Sequence, residues 1–527
     1  MRKTLSVLLA VIMILCMLCS CDLTEELDLQ GEKAQQSVQD ETQDSVGGHS
    51  QNNKPPFTTK PGNDVSPSER DESGLEYTLN FGSNSYSVSC GECKDTDIVI
   101  PATYKDLPVT SIAPNAFLAC KDITSITIPE SITSIEDGAF NGCRSLASVT
   151  IPESVMSIGD RAFEDCSSLT AIVIPDSVSQ IGSSVFEDCT SLANIVIGYS
   201  VKDIRDSAFK NCAALEVIVL SESVISIGDR AFEDCSSLTA IAIPDSVSYI
   251  GSFAFNNCTG LTSITIPESM TSIGNETFYN CSGLTSVVIP DRVTEIQYSA
   301  FENCTGLANV VIGDSVKDIY DYAFKNCTAL ESIIIPDSIA NISNSAFDGC
   351  NQLIEQVDGV FYIANIAIDC DRSTTSVELR EGTTIIASNA FNSSNLSNIK
   401  IPDSVTSISE RAFIYCSSLT NLEIPNNVKH IGSDAFYGCS SLTSIVIPDS
   451  VTSIGHSAFG GCSSLTSIVI GDAVTSIGSG AFRGCSNLAS IDFGGTKAQW
   501  NAITKGDDWN FATGNYTIYC TDGNISK

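Results

Sequence analysis

Apolar residues return along this chain on one long, fixed period. Phe117, Phe140, Phe163, Phe186, Phe209, Phe232, Phe255, Phe278, Phe301, Phe324 and Phe347 are spaced by 23 residues, and the series resumes at Phe391, Phe413, Phe436, Phe459 and Phe482. One unit reads Ala-Phe-x-x-Cys-x-x-Leu-x-x-Ile-x-Ile-Pro-Asp/Glu-Ser-Val-x-x-Ile-Gly-x-x. A period this short over sixteen units is the mark of a solenoid, in which each repeat buries its apolar face only against its neighbours.

Within a unit, Leu-x-x-Ile-x-Ile alternates at its end, as in Leu169, Ile172 and Ile174, and predicts a short strand with branched residues facing inward. Proline follows, as at Pro175, and its missing N–H ends the ladder at a corner. Ala-Phe-x-x-Cys is too short for more than one helical turn, and no unit has room for a stable packed helix. The expectation is one strand per coil on a concave sheet, with tight turns, short extended pieces and single 3₁₀ turns behind it.

The residues flanking the inward Ile point to the concave solvent face. The second flank reads Val173, Val196, Val219, Ala242, Thr265, Val288, Val311 and Ile334, then Lys400, Glu423, Val446, Val469 and Asp492. A contiguous exposed apolar stripe marks an interaction site, although β-branched residues also suit strands for their own sake. The candidate contact residues are therefore Val173, Val196, Val219, Val288, Val311, Ile334, Lys400, Glu423, Val446 and Val469.

Leu-x-x-Ile-x-Ile-Pro together with Ile-Gly-x-x-Ala-Phe-x-x-Cys resembles the BspA-like leucine-rich repeats. The resemblance runs from about Tyr77 to the C-terminus. It implies a right-handed leucine-rich-repeat solenoid of the α/β class, mostly short parallel strands with turns. Asp97-Ile98-Val99-Ile100-Pro101 with Pro108-Val109-Thr110-Ser111-Ile112 is similar to that family's capping unit, and Gly495-Thr496-Lys497-Ala498-Gln499-Trp500 through Cys520-Thr521-Asp522-Gly523 to its terminal motif. The family is associated with surface adhesion to host matrix proteins and other cells, and brings no shared catalytic residues.

The divisions that follow are a capping unit at 76–116, regular repeats at 117–350, an irregular stretch at 351–390, repeats at 391–493 and a terminal cap at 494–527. In the irregular stretch, Val357-Asp358-Gly359-Val360-Phe361-Tyr362 and Ile366-Ala367-Ile368 read as a hairpin-like pair. It is either a tolerated insertion or a lateral landmark where a partner docks. At the next unit Ser393-Ser394 replaces the usual cysteine and a residue is lost.

Fifteen of the 22 cysteines stand three residues after a repeat phenylalanine. Successive coils lie about 4.8 Å apart, so these thiols form one inward column, expected to be reduced and buried as small hydrophobes. Parallel side-chain vectors disfavour disulfides between rungs, and one ligand per coil disfavours a metal. Cys90-Gly-Glu-Cys93 forms either a local disulfide or the first rungs of the column; a redox or zinc role lacks a second pair. The residue after the corner is usually acidic, as at Glu130, Glu153, Asp176, Glu222, Asp245, Glu268, Asp291, Asp337, Asp403 and Asp449. Each is expected to cap its own turn through the following backbone N–H groups, with calcium bridging between rungs as the alternative.

Histidine occurs three times, and no H-E-x-x-H, G-x-S-x-G, Walker or dinucleotide fingerprint is present. The reading is a protein without catalysis or cofactor. A formal net charge of −36 argues against nucleic acid and against docking on anionic lipid. The N-terminus adds a location. Arg2 and Lys3 precede an almost wholly apolar Leu5–Leu15, then Leu18-Cys19-Ser20-Cys21. This is the pattern of a secretory signal at 1–20, and its ending resembles a bacterial lipobox, which makes Cys21 the lipidated residue and the only membrane attachment. Residues 21–75, polar and rich in acids, are expected to form a disordered tether. The whole reads as a lipid-anchored cell-surface protein that binds protein ligands, host matrix or surface proteins among them. A passive coat or spacer, or self-association through the Val stripe, is the alternative.

Overall fold

The computed structural model describes residues 68–80 and 82–526. Each 23-residue unit makes one coil, and the coils stack through parallel strands. Ala171 faces Asn194, Ile172 faces Ile195 and Val173 faces Val196, a register shifted by one unit. Alternation decides the faces: Ile172 is buried, whereas Ala171 and Val173 are exposed.

A coil holds two strands rather than the expected one. After the corner, where the Val178 N–H donates to the Pro175 carbonyl at 3.1 Å, the Val-x-x-Ile segment extends again. Ser226–Ile227 pairs in parallel with Tyr249–Ile250, and Ser157–Ile158 with Ser134–Ile135. Two residues are too few to announce a strand in a sequence. Stacking supplies a partner on both sides, so two suffice.

The segment around each phenylalanine forms a third link between coils. Arg161 and Asp165 lie in the left-handed region at φ 59° and 57°. Their N–H groups, with that of Phe163, donate to the carbonyls of Ser183, Glu187 and Val185 in the next coil at 2.8–2.9 Å. Left-handed backbone at non-glycine residues costs about 1–2 kcal/mol each, and these inter-coil bonds offset it. Among the described residues the expected 3₁₀ turn occurs once, at Asn344–Phe347.

The core is a set of columns. Within each run of repeats, Phe117 to Phe347 and Phe391 to Phe482, successive phenylalanine rings stack with centroids 5.0–5.7 Å apart and planes within 16°, and all are buried. Beside them the repeat thiols are free and, from Cys143 on, fully buried. Coils approach so closely at Ile-Gly that a Cβ on Gly251 would sit 2.5 Å from the backbone nitrogen of Asp229.

Caps close both ends of the apolar column. At the start, Glu76–Asn80 and Ser85–Ser89 form an antiparallel hairpin, and Ser85–Ser89 runs parallel to Leu107–Ile112. Glu69–Arg70 already pairs with Glu76 and Tyr77, so the cap takes in a strand seven residues before the boundary drawn from composition. Asp71 makes the difference: its carboxylate accepts from Tyr77 and from the backbone of Ser73 and Leu75. At the end, Lys497–Ala502 is a short helix with a Thr496/Gln499 capping box. Thr517–Cys520 then pairs with Ser490–Phe493 and folds back on Gly523–Ser526.

The irregular stretch is an antiparallel meander of Glu355–Val357, Val360–Ile363 and Ile366–Cys370. It interrupts the longer-strand ladder. Ser332–Ile334 is the last strand of its sheet, and Ser376–Glu378 opens the next. Ile333 and Ile335 are half-exposed there, whereas their equivalents Ile172 and Ile174 are buried. The short strands keep contact: Ser343 bridges Ser388, and the hydroxyls of Ser407 and Ser409 both donate to the Ala340 carbonyl.

Candidate interaction face

The longer strands bring the ten candidate contact residues into one column that the meander divides. Val173, Val196, Val219, Val288, Val311, Ile334, Val446 and Val469 are between 38% and 62% exposed, so their side chains stand in solvent, all but Ile334 above a buried Ile or Val. Lys400 and Glu423 are exposed in the same column. Cys21 lies outside the described residues.

The structure lengthens this column beyond the residues read from the repeat. Val99, in the capping unit, is exposed and faces Thr127, which faces Thr150. From Val99 to Ile334 eleven outward positions carry Val, Thr, Ala or Ile and no charge. Ten steps of about 4.8 Å make this row roughly 48 Å long. The neighbouring outward column is mostly Ser, Asn and Ala, as at Ala171, Asn194, Ser286 and Asn309, so the larger side chains stand clear of a low floor. Past the meander the character changes. Glu378 pairs with Lys400, Glu423 follows, then Val446 and Val469, and Asp492 stands beside Tyr519.

Acidic side chains lie elsewhere on the coil and are tied into the stacking. The residue after the corner does not cap its own turn as expected where the next coil has Gly in place of Pro. Asp176 and Asp291 accept from the backbone N–H of Tyr199 and Asp314, one coil on, at 2.9 and 3.1 Å. Removing the proline frees the corner of the next coil to come close, and the carboxylate meets the nearest donor. A second acidic row behaves alike: Asp160 accepts from the Ser183 N–H and Asp229 from the Ser252 N–H. Among the described residues no group of three or more His, Cys, Asp or Glu is placed to hold a metal ion.

Exposed tyrosines were not legible as a group. Tyr199, Tyr249, Tyr298 and Tyr322 occupy different repeat positions, yet all project into solvent. Tyr249 edges a shallow depression with Asp203, Arg205 and Asp206. Tyr298 lies 5.2 Å from Tyr320, ring to ring. Their spacing in sequence follows no period, and of these four only Tyr298 packs against another tyrosine.

Comparison with curated protein sequences returns no match. Solved structures similar to this chain include a leucine-rich repeat protein from Bacteroides ovatus, at 25% identity and TM-score 0.40 over 84% of this chain and 98% of that one. A leucine rich cell surface protein from Faecalibacterium prausnitzii is 28% identical at TM-score 0.29, over 84% and 99%. The pneumococcal vaccine antigen PcpA is 19% identical at TM-score 0.40, over 86% and 98%. The profile of the family described as BspA type leucine rich repeat region matches residues 110–239, 225–354 and 361–503. With well over half of its length matched, the chain belongs to the BspA-type leucine-rich-repeat family.

Proposed function

We propose that this chain is a cell-surface protein-binding module whose partner docks along the outward column of the longer strands. The observation that carries the reading is the uncharged row from Val99 to Ile334 on a chain of net charge −36. An exposed row of β-branched side chains costs hydration free energy in the free protein and returns it when a partner covers it. A partner that is itself a folded or extended protein, such as a host matrix or cell-surface protein, has the reach to cover a strip of this length. Cys21 is the lipid anchor that holds the module at the bacterial surface.

The test is capture of a panel of purified extracellular-matrix and cell-surface proteins by the whole chain. Val196→Asp, Val219→Asp and Val288→Asp together should abolish capture, because each forces a charge into a desolvated contact. Met156→Asp and Ile225→Asp are the control, equally apolar and exposed but at the corner between the two strands. If the folded triple variant captures the same proteins as the wild type, the row does not bind. A chain that captures nothing in any form returns the reading to a passive coat.

A further inference from the structure

Fourteen of the fifteen repeat cysteines use their thiols in one way: each donates to the carbonyl of the phenylalanine one coil earlier. Cys120 is the exception. It belongs to the first regular coil, and no repeat phenylalanine stands one coil before it. Its sulfur lies instead 3.4 Å from that of Cys90, in the capping unit. Both residues are half-buried, whereas the fourteen are buried. The Cys90 sulfur also reaches the Cys93 carbonyl at 3.6 Å. The backbone around the pair is pinned: the Cys90 N–H donates to Ala116 at 2.9 Å, and the Cys120 N–H to Phe117 at 3.0 Å.

We propose that Cys90 and Cys120 are a redox clasp, oxidised by a low-molecular-weight disulfide to a bond that locks the N-terminal cap onto the first coil. One thiolate of the pair attacks a sulfur of the oxidant RSSR, forming a mixed disulfide and releasing RS⁻. The second thiolate attacks the protein sulfur of that mixed disulfide and releases the other RS⁻. Two protein thiols are oxidised, one disulfide is reduced to two thiols, and the two protons pass to the leaving thiolates. A bond of about 2.05 Å asks the two sulfurs to close by roughly 1.4 Å. The buried column does not follow, because its sulfurs are closed to the oxidant and held by carbonyls. Burial pushes the Cys90 thiol up to about 12, with the Cys120 contact adding to it, so exchange quickens as the pH rises. A solenoid couples only neighbouring units and opens from its ends. A bond between the cap and the first coil therefore acts where opening starts.

The test incubates the native full chain with oxidised glutathione, alkylates the remaining thiols, and maps tryptic peptides by mass spectrometry. Residues 71–94 and 106–121 should appear joined, with Cys143 and later rungs alkylated only after denaturation. Cys93→Ser should keep the link and Cys120→Ser lose it. Amide exchange across Ser85–Ser89 and Leu107–Ile112 should slow at least tenfold on oxidation, and not in Cys90→Ser. A Cys90–Cys93 loop, a link through Cys93, stable glutathione adducts, or two unmodified thiols would each overturn the clasp. A link that leaves cap exchange unchanged would overturn the locking.

Discussion

The Sγ of Cys235 donates to the carbonyl oxygen of Phe209, 3.1 Å away and one coil back. The same carbonyl also accepts from the backbone N–H of Cys212. The thiol thus adds a second donor to an oxygen already paired, and its sulfur fills the space beside the ring column. A serine there finds an acceptor in place, so Cys235→Ser should cost about 1 kcal/mol rather than the roughly 3 of an unpaired buried hydroxyl. Cys235→Val should cost about 1–3 kcal/mol, since the added branch meets the rungs above and below. Urea melts of both variants check the order.

Phe232 stacks between Phe209 and Phe255, each at 5.3 Å. Phe232→Ala should cost roughly 3–5 kcal/mol. Hydrogen exchange should show the loss in the adjoining coils first, because units couple only to neighbours. An even loss from residue 117 to 493 would contradict this local coupling.

Gly251 has an ordinary φ and is glycine for want of room. Gly251→Ala drives a methyl into the backbone of Asp229 and should destabilise by about 1–3 kcal/mol. A neutral result by thermal melting would mean that the coils separate at no cost.

Asp71 is held below the usual carboxylate range: desolvation pushes it up, but hydrogen bonds from Ser73, Tyr77 and Leu75 outweigh that. A depressed folded value means that its contribution is present above the unfolded pKa of about 3.9. The contribution is lost as pH falls through the folded value. Cap opening, followed by exchange across Glu76–Asn80, should therefore rise on acidification in the wild type, and less steeply in Asp71→Asn.

If Cys21 carries the anchor, Cys21→Ser should move the chain from the membrane fraction to the soluble one or leave the precursor unprocessed. A variant that fractionates and partitions into detergent like the wild type removes the anchor from the proposal.

Periodicity alone was enough for the coil, its parallel strands and the columns of Phe, Cys and Ile, because each lies at a fixed phase and a solenoid repeats one local problem. It also placed the outward Val column, since alternation around a buried Ile leaves one direction for Val173 and Val196. The second strand escaped, because Ser226–Ile227 is extended only by virtue of the coils on either side. So did the aspartate bonds: Asp176 has donors in its own turn, and stacking decides that Tyr199 is nearer. The break at Ser332–Ile334 was visible as a lapse in period, but not its one-sidedness, which depends on Ser407 and Ala340, 67 residues apart in sequence, meeting in space. Cys90 and Cys93 read either as a local pair or as the first rungs of the column; the fold sets Cys90 beside Cys120, where no phenylalanine carbonyl stands one coil earlier to take the thiol. Local pattern determines what every coil shares. Contacts across coils decide where coils differ, and those differences are what single out one surface from another.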